Sequence, residues 1–355
     1  MSPGVLRIAI TADPYLPVPP RLYGGIERVI ASLVSGLVRR GHEVTLIAHP
    51  DSRTMAPLIG YGVPPHRGWY PRARELAQVG ASLVTLRSRV DLIHSFGRLA
   101  ALAPVLPLRA VKKIQSYQRA VPWIGVRRAA RVGRGSVWFT GCSTSLYASD
   151  VRSGEAAHWR TVFNCVDLPT YESVTGVPAD APLAFLGRIE RIKGTHTAVQ
   201  IARAAGRRLV IAGNIADRAY FQSEIEPHLG DGLVTYIGEV DDTAKNRMLG
   251  AAAAMLMPIE WDEPFGIVMA EAFACGTPVI GFDRGSVPEV VRDGVNGFLV
   301  TTVDEAAKAV MRLPAIDRGA VRRDCEQRFS CDAIVTAYER LYREVLGGRA
   351  HEGIG

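Results

Sequence analysis

The chain has 355 residues, 48% hydrophobic and 22% charged, with a formal net charge of +7. That length is too great for one ordinary core and suits two domains, with the composition of a soluble globular protein. The longest apolar run, Met248 to Ile259, is interrupted by Gly250 and ended by Pro258, which excludes a bilayer span of helical length.

The start, Met1 to Ala12, contains the short apolar run Ile8-Ala9-Ile10 and reads as a first strand rather than a signal peptide. Ile26, Val29, Ile30, Leu33, Val34, Leu37 and Val38 then repeat at helical spacing, predicting a helix that ends at Gly41. Tyr23-Gly24-Gly25-Ile26-Glu27 opens that helix. Two glycines there let the backbone approach a ligand, and a helix N-terminus favours negative charge. The alternative is a simple glycine turn. The dinucleotide pattern G-x-G-x-x-G is absent.

Further strands are expected over 43–48, 90–94, 113–117 and 137–141. Residues 164–167 mark a boundary, and the turn-rich stretch 169–182 reads as a linker. The second half repeats the alternation, with strands over 183–186, 208–212, 234–237, 253–257 and 279–282 and a helix over 195–205. Strands alternating with helices imply parallel sheets covered on both faces, two of them in tandem.

Charge is unevenly divided. Residues 1–167 carry 22 Lys and Arg against 9 Asp and Glu, while the remainder carries 20 against 26. From Leu92 to Ser149 there is no acidic residue among nine basic ones. Such a run is either a solvated face or a surface for an anionic partner. Trp123 and Trp138 lie within it, as at a membrane interface. No nucleic-acid-binding signature accompanies it. The five cysteines form no C-x-x-C pair and read as reduced thiols in a cytoplasm. The histidines do not pair at ligand spacing and no D-x-D occurs, so neither a metal nor a cofactor is expected.

Gly187-Arg188 and Lys193-Gly194 follow the first strand of the second half. Cations at a strand's C-terminal end stand where open α/β sheets bind ligands. Arg can grip phosphate bidentately and Lys supplies a point charge. The stretch from Pro258 to Ile280 then reads as strand end, loop, helix, turn and next strand. Pro264 suits a first helical turn, and Gly266 permits close backbone approach. The free amides from Phe265 through Ile267 and Val268 would face an anion such as a diphosphate. Glu263 would reach neutral hydroxyls beside it. Glu271 could accept two hydroxyls of a ribose. A phosphate cradle flanked by two hydroxyl-reading carboxylates suits a sugar nucleotide.

Glu263-Pro264-Phe265-Gly266, the second Glu eight residues after the first, and Gly276-Thr277-Pro278-Val279 resemble family 4 of the retaining glycosyltransferases. The resemblance implies the GT-B fold: two Rossmann-like domains with parallel sheets facing a central cleft. It implies an acceptor-binding domain over 1–167 and a nucleotide-sugar-binding domain over 168–330. The terminal segment 331–355 would be a helix crossing back to the first domain, with a flexible tail. By the same resemblance Gly24 and Gly25 close over the donor diphosphate, Arg188 and Lys193 grip it, and the loop at Gly238 and Glu239 meets the nucleobase through backbone atoms. Glu263 orients the donor sugar. Asn164-Cys165-Val166-Asp167 departs from the family's Asn-Gly-Val-Asp, and Gln118 stands where many members carry a histidine. Gln118 and His94 are the acceptor-side candidates.

The expected function is metal-independent, retaining transfer of a sugar from a nucleoside-diphosphate sugar to a hydroxyl acceptor, in glycan, glycolipid or glycoside biosynthesis. A UDP-sugar is favoured, with a GDP-sugar open. The protein is expected in the cytoplasm, with peripheral contact at an anionic inner membrane face as a further expectation. Two rivals stand beside this reading: a sugar-nucleotide epimerase of related fold, and a non-catalytic nucleotide-sugar-binding subunit. Epimerisation needs acid–base groups that are not convincingly placed. The four residues Arg188, Lys193, Glu263 and Glu271 argue against a purely binding role, which Gln118 keeps alive.

Overall fold

The structure is a computed structural model that describes residues 4–20, 24–62, 69–148 and 158–347. Tyr23, the end of the acid-free stretch at Ser149 and the tail from residue 348 lie outside the described residues. The chain divides into two compact units: residues 1–164 with 331–355, and residues 165–330.

The first unit holds a seven-stranded sheet in the order β3-β2-β1-β4-β5-β6-β7, every pairing parallel. Its strands are β1 (Arg7–Thr11), β2 (Glu43–Ala48), β3 (Leu58–Gly60), β4 (Leu92–Ser95), β5 (Lys112–Tyr117), β6 (Val137–Gly141) and β7 (His158–Thr161). The central strands β1, β4 and β5 are buried along nearly their whole length because both faces are covered, including the polar side chains of His94, Lys113 and Gln115. Among the described residues before the second unit, the α-helices with assigned bounds are α1 (Gly25–Arg39), α2 (Trp69–Leu86) and α3 (Trp123–Gly133). Val29, Ile30, Leu33, Val34 and Leu37 put one stripe of α1 into the core.

The second unit holds a six-stranded parallel sheet in the order β10-β9-β8-β11-β12-β13. Its strands are β8 (Leu183–Leu186), β9 (Leu209–Ala212), β10 (Val234–Tyr236), β11 (Ala254–Met257), β12 (Val279–Phe282) and β13 (Gly297–Val300). Helices α4 (Thr195–Ala204), α5 (Arg218–Glu224), α6 (Asp242–Ala251), α7 (Ile267–Ala274), α8 (Val287–Val290), α9 (Val303–Arg312) and α10 (Arg318–Phe329) complete it. In both sheets the strand order runs outward in two directions from one central pair, β1 and β4 in the first and β8 and β11 in the second. Such a reversal opens a crevice at the carboxyl ends of the central strands.

The last helix, α11 (Cys331–Val345), belongs to the first unit. It packs on α1 so closely that a Cβ added at Gly36 would lie 2.4 Å from Val335. Arg40 of the α1 C-terminus pairs with Glu339 at 2.5 Å, and the buried His42 meets the same carboxylate at 2.7 Å.

Arg318, at the start of α10, is the charged anchor of the second unit. It is 7% exposed and donates to the carbonyls of Val174 at 2.8 Å, Ala252 at 2.8 Å and Gly250 at 3.0 Å, and to Thr277 Oγ1 at 2.8 Å. Burial lowers its pKa, but a guanidinium retains its charge. Each buried carbonyl left without a donor costs about 1–3 kcal/mol. Arg318→Ala is therefore expected to destabilise the protein by more than ~3 kcal/mol. Arg318→Lys should recover little of this, because an ammonium cannot reproduce the planar fork. Urea unfolding checks it: an unchanged midpoint for Arg318→Ala would contradict the assigned role.

Candidate functional site

The second unit brings Arg188, Lys193, Glu263 and α7 to the carboxyl ends of β8 and β11, the two strands at the reversal of its sheet. Arg188 and Lys193 follow β8. Residues 258–266 follow β11 and lead into α7. Gly194 is what lets the two segments meet. Its φ is 72°, and a Cβ there would lie 1.9 Å from the carbonyl oxygen of Pro258. Glu260 N–H donates to the Ile192 carbonyl at 2.9 Å across the same junction.

Lys193 Nζ lies 2.5 Å from Glu263 Oε2, and both side chains are largely buried. Trp261 Nε1–H donates to the same oxygen at 3.0 Å. The ammonium also sits 4.7 Å from the Trp261 ring centroid. Sequence reasoning singled out Lys193 and Glu263 separately, one for phosphate and one for sugar hydroxyls. Their mutual ion pair, with Trp261 as the third member, was not read from the sequence. The Glu263 backbone is fixed as well: its carbonyl accepts from Ser286 N–H at 3.0 Å.

Gly266 caps α7 with φ 69°. The first amides of a helix precede its internal ladder, so those of Ile267 and Val268 are available to an anion at this end, while Met269 N–H already donates to the Gly266 carbonyl at 2.9 Å. Phe265 is 2% exposed and packs edge-on against Phe329, so it anchors the loop while the backbone beside it turns. Arg188 is about half exposed and pairs with Glu190 at 2.7 Å.

Glu271 is the fifth residue of α7, and its Oε1 takes two hydrogen bonds: from Lys245 Nζ at 2.6 Å and from Tyr171 hydroxyl at 2.8 Å. Burial works against the Lys245 charge, but Glu271 and Asp242 outweigh it and raise its pKa. Burial, with the Glu271 charge beside it, pushes the Tyr171 hydroxyl up and keeps it a donor. Lys245 and Tyr171 carried no motif and were missed; the signal exists only once α6 and the segment after Val166 are folded against α7. Gly238 has φ 80° with open space where a Cβ would stand, and its carbonyl accepts from Gly213 N–H at 2.8 Å. Glu239 is exposed.

Gly24, Gly25, His94 and Gln118 belong to the first unit. Gly24 has φ 150°, and a Cβ there would meet Glu27 Oε2 and Pro20 at 2.8 Å. His94 requires a correction. It is fully buried, with Nδ1 2.7 Å from Tyr342 hydroxyl and Nε2 2.6 Å from Ser116 Oγ. Burial lowers its pKa to about 3, so it is a neutral core group tying β4 to α11 and has no face for an acceptor. Gln118 does line an open cavity of about 1010 Å³ in that unit. The two tryptophans of the basic stretch are also engaged internally. Trp123 packs against Trp159 with ring centroids 6.0 Å apart, and Trp138 stacks on His158 at 4.8 Å. Among the described residues no helix is long and apolar enough to cross a membrane.

Comparison with known proteins bears on the family and the fold. Residues 176–327 match the model of glycosyl transferases group 1, and residues 23–139 match that of glycosyltransferase family 4. Glycogen synthase of Mycobacterium tuberculosis is 24% identical over 402 residues, covering 95% of this chain and 94% of the relative. Among solved structures, AviGT4, a glycosyltransferase involved in avilamycin A biosynthesis, superposes with a TM-score of 0.72 at 27% identity, covering 97% of this chain and 99% of that one. HepE of Anabaena in complex with UDP and glucose has the same fold, with a TM-score of 0.70 at 18% identity over 95% of this chain and 99% of its own. With two family models spanning most of its length, and a fold of two parallel α/β sheets shared with these enzymes, the chain belongs to the family 4, group 1 glycosyltransferases of GT-B fold.

Proposed function

We propose that this glycosyltransferase transfers a sugar from a nucleoside-diphosphate sugar to a hydroxyl acceptor with retention at the anomeric carbon. The observation that carries the reading is the convergence of Arg188, Lys193 and the α7 N-terminus at the reversal of the second sheet. Two fixed cations and a set of backbone amides suit a diphosphate. Glu263, already held by Lys193 and Trp261, is placed to accept sugar hydroxyls. Glu271 accepts the ribose hydroxyls, with Lys245 and Tyr171 holding its carboxylate in place. Phe265, Gly266, Ile267 and Val268 form the turn that presents the amides, and Gly238 and Glu239 meet the base. The diphosphate bound by HepE supports a UDP-sugar as the first donor to try, with a GDP-sugar as the second.

In the transfer, the bond from the anomeric carbon to the diphosphate oxygen breaks and the electron pair leaves with the phosphate. Arg188, Lys193 and the helix amides stabilise that developing charge, usually the largest catalytic contribution. The acceptor oxygen bonds the anomeric carbon on the same face, and its proton passes to the departing phosphate oxygen. No side-chain base is required, so Gln118 in place of histidine is compatible with activity. The cations supplied by the chain make the reaction independent of a metal in this reading. Arg127, Arg128 and Arg131 on the exposed side of α3 are the residues through which an anionic membrane face would be met.

Glu271→Ala is expected to weaken binding of the nucleoside diphosphate by about 1.5–3 kcal/mol, the value of a hydrogen bond to a charged group. Calorimetric titration with UDP and GDP tests it. Equal affinity in wild type and variant would remove Glu271 from the ribose site. Incubation with donor sugars separates the rivals by product: transferred sugar, epimerised donor, or binding with neither.

A further inference from the structure

We infer that the acceptor is a compact hydroxylated molecule with an apolar ring body, and that the cavity of the first unit encloses that body. The inference rests on the glycosyl-transfer reading above and names the substrate class of its acceptor side. The cavity lies wholly within the first unit, beside the reversal of its sheet. Asp13 and Tyr15 follow β1, Phe96 to Arg98 follow β4, and Gln118 and Arg119 follow β5. α3 supplies one wall.

Three features point to the ligand. The first is size. About 1010 Å³ is at the upper end of the range for small-molecule sites, roughly 300–1,000 Å³. The second is the lining. Leu16, Ile26, Ile30, Phe96, Leu99 and Leu106 form an apolar wall. A glycan chain carries hydroxyls all round, and those facing this wall would lose water without gaining partners. A fused or linked ring system would instead gain about 25 cal/mol for every Å² of apolar surface removed from water.

The third feature is polar and local. Gln118 Oε1 and Tyr117 hydroxyl are buried without a hydrogen-bond partner, and both residues line the cavity. Rotation of the Gln118 side chain would turn its amide into the cavity, where the acceptor's own O–H can donate to Oε1. Asp13 adds a second polar contact. Its carboxylate lies against Gly97, where a Cβ would come within 3.2 Å of Oδ1. Burial raises the Asp13 pKa, while Arg98 and Arg119 pull it back. Glu27, Arg98, Ser116, Arg119 and Arg128 also line the cavity, so its polar side meets the acceptor's hydroxyls while its apolar wall takes the ring body.

The test measures binding to the full-length protein without donor, so it does not depend on turnover. 2-Naphthol represents a compact apolar alcohol and maltotetraose a glycan chain. Ligand-observed NMR should show 2-naphthol binding at least tenfold more tightly than maltotetraose. Gly125→Leu then places a side chain into the cavity from α3. A Cβ at Gly125 would stand 3.4 Å from Leu99 Cδ2, so the backbone accepts a side chain there and the rest of the leucine extends into the cavity. It also removes a helix-interior glycine, which favours the helix. The variant should bind 2-naphthol at least tenfold more weakly, with an unreduced melting temperature and unchanged UDP affinity. Ile124→Ser, on the exposed side of α3, should change none of these. Tighter binding of maltotetraose, or full 2-naphthol affinity in Gly125→Leu, would overturn the inference whatever UDP does. Failure of UDP and GDP to bind, with the naphthol results as expected, would overturn the donor-site reading and leave the cavity assignment standing.

Discussion

Lys193→Ala and Arg188→Ala are each expected to lower turnover by about 100-fold or more, the usual consequence of removing one group that stabilises charge in the transition state. The two variants should differ in stability. Arg188 is about half exposed and pairs with Glu190, so its loss should leave the unfolding midpoint nearly unchanged. Lys193 is largely buried against Glu263. Its removal leaves that carboxylate bonded to Trp261 Nε1–H but without its countercharge, so some stability is lost as well. Turnover at saturating donor and urea unfolding, measured on both variants, separate the effects. Near-normal turnover in both would make these side chains ordinary surface charges.

Gly194→Ala should be more damaging than any single side-chain truncation at the site. The position has φ 72°, which strains an L side chain by roughly 1–3 kcal/mol. The larger problem is the 1.9 Å approach of the new Cβ to the Pro258 carbonyl. A backbone atom cannot swing aside as a flexible side chain can. The segment after β8 must therefore move away from the segment after β11, carrying Lys193 from Glu263. A misplacement of about 1 Å can cost roughly 100-fold in rate. Both turnover and thermal midpoint should fall together. Retention of either near the wild-type value would show that the junction is more pliable than its contacts indicate.

Much of the fold was legible because many parallel strands covered on both faces appear as short, largely apolar runs. Glu43–Ala48, Val137–Gly141, Leu183–Leu186 and Val279–Phe282 have the bounds expected of them. The strands that escaped notice lack that signal. β3 has three residues at a sheet edge, and β7 reads His-Trp-Arg-Thr, with alternate positions exposed. β13 begins with a glycine and spans four residues. The family was legible for a different reason: the second motif combines residue types and spacing that few other demands would produce together.

The site's side-chain connections were less legible. Lys193 and Glu263 are 70 positions apart, and Tyr171 and Glu271 are 100 apart. Nothing local in the sequence encodes such a pairing. His94 shows the converse failure. Its place after a strand suggested a site residue, but a strand's side chains alternate between faces, and this one points at Tyr338 and Tyr342 of the returning helix. That helix is some 240 residues further along the chain, so the buried environment of His94 could not be read locally.

The most direct test of the central claim is the anomeric configuration of the first product formed. The donor is the α-linked nucleotide sugar that binds most tightly to wild-type protein, used with excess chelator present and a hydroxyl acceptor that supports turnover. Proton NMR during the first turnovers reads the configuration before any equilibration. An α-linked product is expected, formed at full rate in chelator and at a rate reduced about 100-fold in Lys193→Ala. A β-linked product, or a reaction abolished by chelator, would contradict the central claim.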